Sequence, residues 1–167
     1  MIMTVDEFRD YHQTEVPDNV LEGKLQAIEM MIRKYTNNNF QDRNKRFYTE
    51  IAGGRILESY PYIREGDTLQ ISESKCNNGL YLFMHDGMDL QDDDCCLVTK
   101  VSYPIDVKMG AVNMLVWDLE NRSKVGIQSE TISRHSVTYF NMDGDNSIMG
   151  YPKSLLGFLK PYKKARF

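Results

Sequence analysis

Residues 18–36 read DNVLEGKLQAIEMMIRKYT and carry apolar side chains at helical spacing. The recurring apolar residues are Leu21, Leu25, Ile28, Ile32 and Tyr35. Because positions three or four residues apart share one face of an α-helix, these side chains form a stripe that other parts of the protein must cover. Pro17 and Asp18 suit the start of a helix, and the asparagines at 37–39 suit its end. The stretch therefore predicts a packed helix and a helical core.

Three more segments predict helices, at about residues 4–11, 104–121 and 152–159. Thr4 and Glu7 have the spacing of a capping box, in which each side chain accepts a hydrogen bond from the other residue's backbone N–H. Gly110 lies inside the third helix, where it costs about 1 kcal/mol relative to alanine, and this indicates close packing. The stripe predicted for that helix consists of Met109, Val112, Val116 and Leu119, widened by Ala111 and Leu115.

Residues 46–102 change to the pattern of short strands separated by tight turns. Turn signals occur at 53–54, 65–67, 77–79 and 86–87. The strands are predicted near 46–51, 55–62, 68–73, 79–84 and 96–102, which is typical of a small barrel or sandwich. We therefore predict an α+β fold. Its helical core comprises residues 1–45 and 103–167, and residues 46–102 are an inserted β-barrel or sandwich module.

The composition favours a globular protein of about one domain with a small appended or inserted module. Of the 167 residues, 41% are hydrophobic and 26% are charged. No apolar run approaches the roughly 18 residues of a membrane span, and the N-terminus lacks the pattern of a signal peptide. We expect no membrane partner and a cytoplasmic place of synthesis. Cys76, Cys95 and Cys96 show no metal-binding spacing and are expected to be reduced thiols.

The net charge of −4 conceals an asymmetry. The last eight residues contain Lys160, Lys163, Lys164 and Arg166 and no acid, so the rest of the chain carries a net charge of −8. An acidic body argues against a dedicated nucleic-acid binder, because neutralising phosphates requires a basic face. The basic tail, with Tyr162 and Phe167 interleaved, suits an acidic groove on a protein partner.

Candidate catalytic and metal sites do not meet the requirements of their chemistry. Three of the aspartates between residues 86 and 94 are consecutive, so their side chains cannot all face one metal ion. The loop that starts at Asp143 lacks the glycine and glutamate of an EF-hand. Near Ser129 and His135 the sequence lacks the turn that exposes a catalytic serine. We expect no catalytic residues, no metal and no cofactor.

Several motifs follow one another along nearly the whole chain. They are residues 32–40 (IRKYTNNNF), 66–71 (GDTLQI), 78–81 (NGLY), 101–110 (VSYPIDVKMG) and 129–139 (SETISRHSVTY), followed by Tyr151-Pro152 and Lys160-Pro161-Tyr162. In their order and spacing these motifs resemble the head-tail connector (adaptor) proteins of long-tailed bacteriophages that infect Gram-positive bacteria.

The resemblance implies a structural virion protein, found in the host cytoplasm during assembly and then at the head-tail interface. It implies a homo-oligomeric ring of about 12 subunits beneath the capsid portal. The ring would extend the DNA channel, let double-stranded DNA pass without sequence-specific binding, and join the portal protein to a stopper or tail-completion protein. The implied portal or subunit contacts are Ser129, Glu130, Ser133, Arg134, Ser136, Tyr139, Leu156, Phe158, Leu159, Lys160, Tyr162, Lys163, Lys164 and Arg166.

An alternative from another class is a small β-barrel module that binds single-stranded nucleic acid or sugar. Tyr60, Tyr62 and Tyr81 could provide a face on which bases or sugar rings stack. This alternative requires salt-dependent retention on nucleic acid, whereas a connector does not. The sequence also predicts that truncation after Leu159 leaves the fold intact, because the removed residues are polar and terminal.

Overall fold

The computed structural model describes residues 1–58, 60–122, 129–132, 135–138 and 146–165, with the backbone alone for 129–132 and 135–138. The fold is α+β, as the sequence predicts. The chain forms two compact units. The sheet unit consists of Met1–Ile2 and Asn38–Tyr103, and the helical unit consists of Met3–Asn37 and Pro104–Phe167. Residues 38–45, which we had placed in the helical core, thus belong to the sheet unit.

The first two helices of the helical unit have the ends that the sequence predicts. Helix α1 spans Val5–Tyr11, and its capping box is formed. The Thr4 hydroxyl accepts from the Glu7 N–H at 3.1 Å, and the Glu7 carboxylate accepts from the Thr4 N–H at 3.2 Å. Helix α2 spans Asp18–Thr36 and ends at Asn37, whose left-handed backbone directs its N–H to the Arg33 carbonyl. The apolar stripe of α2 is confirmed, because Leu21, Leu25, Ile28 and Ile32 are buried.

Helix α3 spans Ile105–Asn121, and its buried face coincides only in part with the predicted stripe, at Ala111, Val112 and Leu115. Its buried residues are Val107, Gly110, Ala111, Val112, Met114, Leu115 and Asp118. Met109, Val116 and Leu119 of the predicted stripe are only half-buried. Small residues at 110 and 111 let neighbouring segments approach the helix closely, and this places the packed face there.

The chain after α3 contains short extended segments and a 3₁₀ helix. Strands β6 (Ser129–Ile132) and β7 (His135–Thr138) pair antiparallel, as do β8 (Ser147–Ile148) and β9 (Tyr151–Pro152). The segment that we predicted as a helix over residues 152–159 is a 3₁₀ helix, Lys153–Tyr162. Pro161 lies inside it and has no N–H to donate, so an α-helical hydrogen bond cannot form at that position.

The sheet unit contains one five-stranded antiparallel sheet that curls into a half-barrel. Its strand order is β2-β1-β5-β3-β4. The strands are β1 (Gln41–Ala52), β2 (Arg55–Ile56), β3 (Thr68–Ser72), β4 (Gly79–Leu82) and β5 (Asp93–Val101). In the described residues the edge strands β2 and β4 do not pair, so the module that we predicted as a small barrel or sandwich is an open, curled half-barrel.

The core of the sheet unit lies on one face of the curled sheet. Its buried residues are Phe47, Ile51, Leu69, Ile71, Leu90, Cys96 and Val98. Alternation is visible in β1, where Phe47, Thr49 and Ile51 are buried between exposed neighbours. The strand that we predicted over residues 55–62 ends at Ile56, and Tyr60 and Tyr62 pack against the core from the loop that follows.

Candidate functional site

The C-terminal 3₁₀ helix is packed into the helical unit through its apolar side. It contacts α2 and α3, and Leu156 and Leu159 are almost completely buried. We had placed both leucines at the portal or subunit contact. Because their side chains are enclosed within the unit, they hold the segment in place and offer no surface to a partner in this conformation.

Phe158 is a third apolar residue of this helix, and it packs against α3. A Cβ built on Gly110 would overlap the Phe158 ring, so the ring fills the space above the glycine backbone. The close packing that the sequence indicates at Gly110 is confirmed. The rest of the Phe158 side chain is half-buried and forms part of the outer surface of the helix.

The last described residues are held along the C-terminal end of α2. The Lys164 N–H donates to the Thr36 carbonyl at 2.8 Å, and the Asn37 side chain donates to the Ala165 carbonyl at 2.9 Å. The Lys163 ammonium lies 3.9 Å from the centre of the Tyr35 ring, an arrangement typical of a cation–π interaction.

Tyr162 attaches the same segment to the start of α3. Its hydroxyl donates to the Asp106 carboxylate at 2.8 Å, and this hydrogen bond raises the pKa of the tyrosine. The tail that the sequence presents as polar and terminal is thus an ordered part of the unit through Ala165.

The ordered tail and the last turn of α2 together carry a basic surface. We call Lys34, Lys160, Lys163 and Lys164 the basic end surface. All four side chains are exposed, and none has an ion-pair partner among the residues that the structure describes. Arg166, which we predicted to belong to the same contact, lies outside the described residues. A rigid backbone bearing unpaired ammonium groups can bind an anionic partner with little loss of backbone entropy.

A buried ionic cluster connects α2, α3 and β9 within the helical unit. The Asp118 carboxylate, with only 8% of its side chain exposed, accepts hydrogen bonds from Lys24 and Arg122. Burial alone would raise the pKa of Asp118, but these hydrogen bonds outweigh it, so the pKa lies below its usual value. The Arg122 guanidinium also lies over the rings of Trp117 and Tyr151, 5.4 and 4.9 Å from their centres.

Sequence reasoning did not find this cluster. Lys24 and Asp118 are separated by 94 positions, and nothing in the local pattern relates them. The spacing of Asp118 and Arg122, four positions apart on one helix, is the single local signal that the sequence contains. The arrangement stabilises the packing of the unit and has no open face for a substrate.

The predicted contact segment 129–139 contains the antiparallel pair β6–β7. Ser129 lies opposite Thr138, and Thr131 lies opposite Ser136. Ser129, Glu130 and Ser136 are therefore placed on a backbone hairpin. Ser133, Arg134 and Tyr139 lie outside the described residues.

The sheet unit has an open cavity of about 350 Å³ beside β1 and β5. We call it the acid-lined cavity; its lining residues are Tyr48, Thr49, Glu50, Leu57, Glu58, Asp94 and Cys95. Leu57 and Tyr48 are 56% and 55% exposed, so the cavity has apolar surface beside its carboxylates. Of the described residues that line the cavity, three are acidic and none is basic.

The carboxylates of the acid-lined cavity differ in their partners. Asp94 forms an ion pair with Lys75 at 2.9 Å, where both side chains are highly exposed. Glu58 accepts a hydrogen bond from the Tyr60 hydroxyl, which raises the pKa of that tyrosine. The Glu50 side chain has no hydrogen-bond or ion-pair partner among the described residues. Two of the three negative charges are thus not neutralised within the unit.

The consecutive aspartates at 92–94 point to separate structural partners, as their spacing predicts. Asp92 accepts from the Gly53 N–H at 2.7 Å. Asp93 is buried, and hydrogen bonds from the Ser74 hydroxyl and the Lys75 N–H hold its pKa below the usual value. In the described part of the chain, no group of three or more potential ligands is positioned to hold a metal ion.

Within the described residues, no helix combines the length and apolar character that crossing a membrane requires. No protein-family model matches the chain, and no curated protein matches it significantly in sequence.

Proposed function

We propose that this chain is a head-tail connector: a virion protein that forms a ring beneath the capsid portal, extends the DNA channel and joins the head to the tail. In this proposal the helical unit is the body of each subunit. The sheet unit is the inserted module. The partners are the portal protein, a stopper or tail-completion protein and other copies of the chain, while double-stranded DNA passes without sequence-specific binding.

The observation that carries the proposal is the ordered attachment of the C-terminal segment to α2. Two motifs of the resemblance, residues 32–40 and the Lys160-Pro161-Tyr162 ending, lie at opposite ends of the sequence. The residues that directly follow the second motif attach to the first, where Lys164 bonds to Thr36 and Lys163 lies over Tyr35. This attachment leaves four exposed lysines without an ion-pair partner among the described residues on an ordered backbone, as a docking surface for an acidic partner requires.

The buried charge of the helical unit serves packing among the described residues. The strongest charged cluster, around Asp118, is enclosed by Lys24, Arg122 and Tyr151.

The nucleic-acid alternative receives less support from the sheet unit. Tyr60 and Tyr62 stack on each other with ring centres 5.4 Å apart, and Tyr60 lies 4.3 Å from Phe47. These rings are half-buried against the core. Part of each ring face is therefore in contact with other side chains, and less of it is exposed for a base to stack on. The carboxylates of the acid-lined cavity repel the phosphates of a nucleic acid.

The test is the mass of the protein on a sizing column with light-scattering detection, first alone and then with portal particles of the same phage. We expect the chain to join the portal in the stoichiometry of a ring. Capsid shells without the portal vertex serve as the control and should retain no protein. If elution is unchanged in the presence of portal particles, the connector proposal is wrong. Salt-dependent retention on nucleic acid would then favour the alternative.

A further inference from the structure

We propose that copies of this chain associate head to tail, with the basic end surface of one copy docked on the acid-lined cavity of the next. This inference rests on the proposed function in one respect: it assigns the contact between neighbouring subunits of the ring. The basic end surface lies on the helical unit, and the acid-lined cavity lies on the sheet unit.

The acid-lined cavity has the chemistry of a receptor for lysine side chains. Glu50 and Glu58 supply carboxylates without a basic partner among the described residues, and Leu57 presents an exposed apolar surface. A lysine can lay its methylene stem along such a surface while its ammonium group reaches a carboxylate. The exposed Tyr48 ring offers a second apolar contact of the same kind.

The basic end surface supplies the complementary groups. Lys160 and Lys164 are exposed and unpaired in the described part of the chain, and the backbone that bears them is fixed by the Thr36 and Asn37 contacts. Opposite charges on two preformed surfaces accelerate association and fix its register. The arrangement therefore gives a specific contact without refolding of either surface.

A second copy of the chain fits this surface better than DNA does. The net charge of −4 opposes the approach of DNA and of a second copy alike, but a second copy also presents a cavity that combines carboxylates with an exposed apolar surface. Both members of the complementary pair occur in the same sequence, so every copy offers one donor surface and one receptor surface. Because the two surfaces are different, the contact is heterologous, and repetition of a heterologous contact produces a closed ring or a filament.

A cysteine cross-link tests the proposed contact directly, because the native Cys95 lines the cavity and is exposed. The variant combines Cys76→Ser with Lys164→Cys. We expect mild oxidation to give covalent multimers whose linked peptides join position 95 of one copy to position 164 of another. The matched control, Cys76→Ser with Lys153→Cys, places the thiol at an exposed site at the far end of the 3₁₀ helix, roughly 18 Å along its axis. It should give no such link.

Charge reversal provides a second test that does not depend on oxidation. One variant carries Lys160→Glu and Lys164→Glu, and the other carries Glu50→Lys and Glu58→Lys. Each alone pairs like charges at the contact, so we expect self-association at least about tenfold weaker than that of the wild type. An equimolar mixture restores opposite charges at every contact and should associate as the wild type does. Sedimentation velocity measures all three samples, and circular dichroism checks that each variant is folded.

The outcomes separate this inference from the proposed function. If the wild type joins the portal as a ring but the cross-link is absent and charge reversal has no effect, the inference is wrong and the connector proposal stands. If the specific cross-link forms and the mixture rescues association while the portal is ignored, the inference stands and the connector proposal fails. If the Lys160→Glu and Lys164→Glu variant loses retention on DNA and associates normally with itself, the basic end surface serves nucleic acid and the inference is overturned.

Discussion

The ring of Phe158 lies against the backbone of Gly110, in the space that a side chain at position 110 would fill. Alanine at this position gains helix propensity worth about 1 kcal/mol, but the overlap with a packed ring costs about 1–3 kcal/mol or more. A side chain at position 110 would require the far end of the Phe158 ring to shift, while Leu156 and Leu159 hold the helix that carries the ring in place. We expect Gly110→Ala to destabilise the protein, measured as a lower midpoint of urea unfolding.

Gly23 provides the matched control for that substitution. It lies inside α2, and nothing approaches within 4 Å of a Cβ built there. Gly23→Ala should therefore stabilise the protein by up to about 1 kcal/mol. Stabilisation by both substitutions would show that Phe158 does not occupy the space above Gly110.

Asp118 should make the stability of the folded protein depend on pH in the acid range. Its pKa is lowered in the folded protein, so its contribution is present above the pKa of the unfolded chain, near 3.8, and is lost as the pH falls through the lower folded value. Asp118→Asn should cost about 1–3 kcal/mol at pH 7 and progressively less toward pH 2. Urea unfolding at several pH values measures this difference. Asp94→Asn, whose side chain is 92% exposed, should change stability by less than about 0.5 kcal/mol.

Shortening a side chain in the buried stripe of α2 should destabilise the protein. Ile32 has no exposed surface, so Ile32→Ala removes buried methyl groups and leaves a cavity, at a cost of about 2–5 kcal/mol. Met30 lies two positions away in the same helix and is 53% exposed. Met30→Ala should change the free energy of unfolding by less than about 0.5 kcal/mol. Equal effects of the two substitutions in chemical denaturation would contradict the assigned face of α2.

The three cysteines should divide into two reactive thiols and one protected thiol. Cys76 and Cys95 are exposed, whereas burial raises the pKa of Cys96 to about 11. A thiol-specific reagent at pH 8 should therefore label two cysteines in the native protein and the third only after denaturation. Peptide mass spectrometry identifies the sites. Rapid native labelling of Cys96 would show that the core of the sheet unit opens.

Truncation after Leu159 should weaken the helical unit, contrary to the expectation from sequence. It removes the hydrogen bonds that join Lys164 to Thr36, Ala165 to Asn37 and Tyr162 to Asp106. We expect a loss of about 1–3 kcal/mol from these contacts, measured by thermal unfolding. Truncation after Ala165 keeps all three and should leave stability within about 0.5 kcal/mol of the full chain.

The sequence predicts those parts of the fold that short-range patterns determine. The stripe of α2 and the Thr4–Glu7 capping box depend on neighbours within one or two turns, so their residues are visible in the sequence. The face of α3 was predicted only in part, at Ala111, Val112 and Leu115, because apolar residues surround much of that helix. The choice of its packed side depends on Phe158, which lies 48 positions from Gly110.

The candidate site could be predicted only in part for the same reason. Lys160, Lys163 and Lys164 stand out as a basic tail, but their rigid placement depends on bonds to Thr36 and Asn37, more than 100 positions earlier. Leu156 and Leu159 resemble a binding surface in sequence and are instead the attachment of the helix. The strand predicted to continue to residue 62 ends at Ile56, where aromatic residues pack from a loop.

The discontinuity of the helical unit determines the order in which the chain can fold during synthesis. Tyr162 follows Thr36 by 126 residues, so at about 5–20 residues per second the ribosome needs roughly 6–25 s to complete the second piece. The sheet unit is almost continuous and can form in that interval. Helix α2 meanwhile contacts α1 but lacks α3 and the 3₁₀ helix until those segments emerge, so part of its apolar stripe stays exposed in the nascent chain.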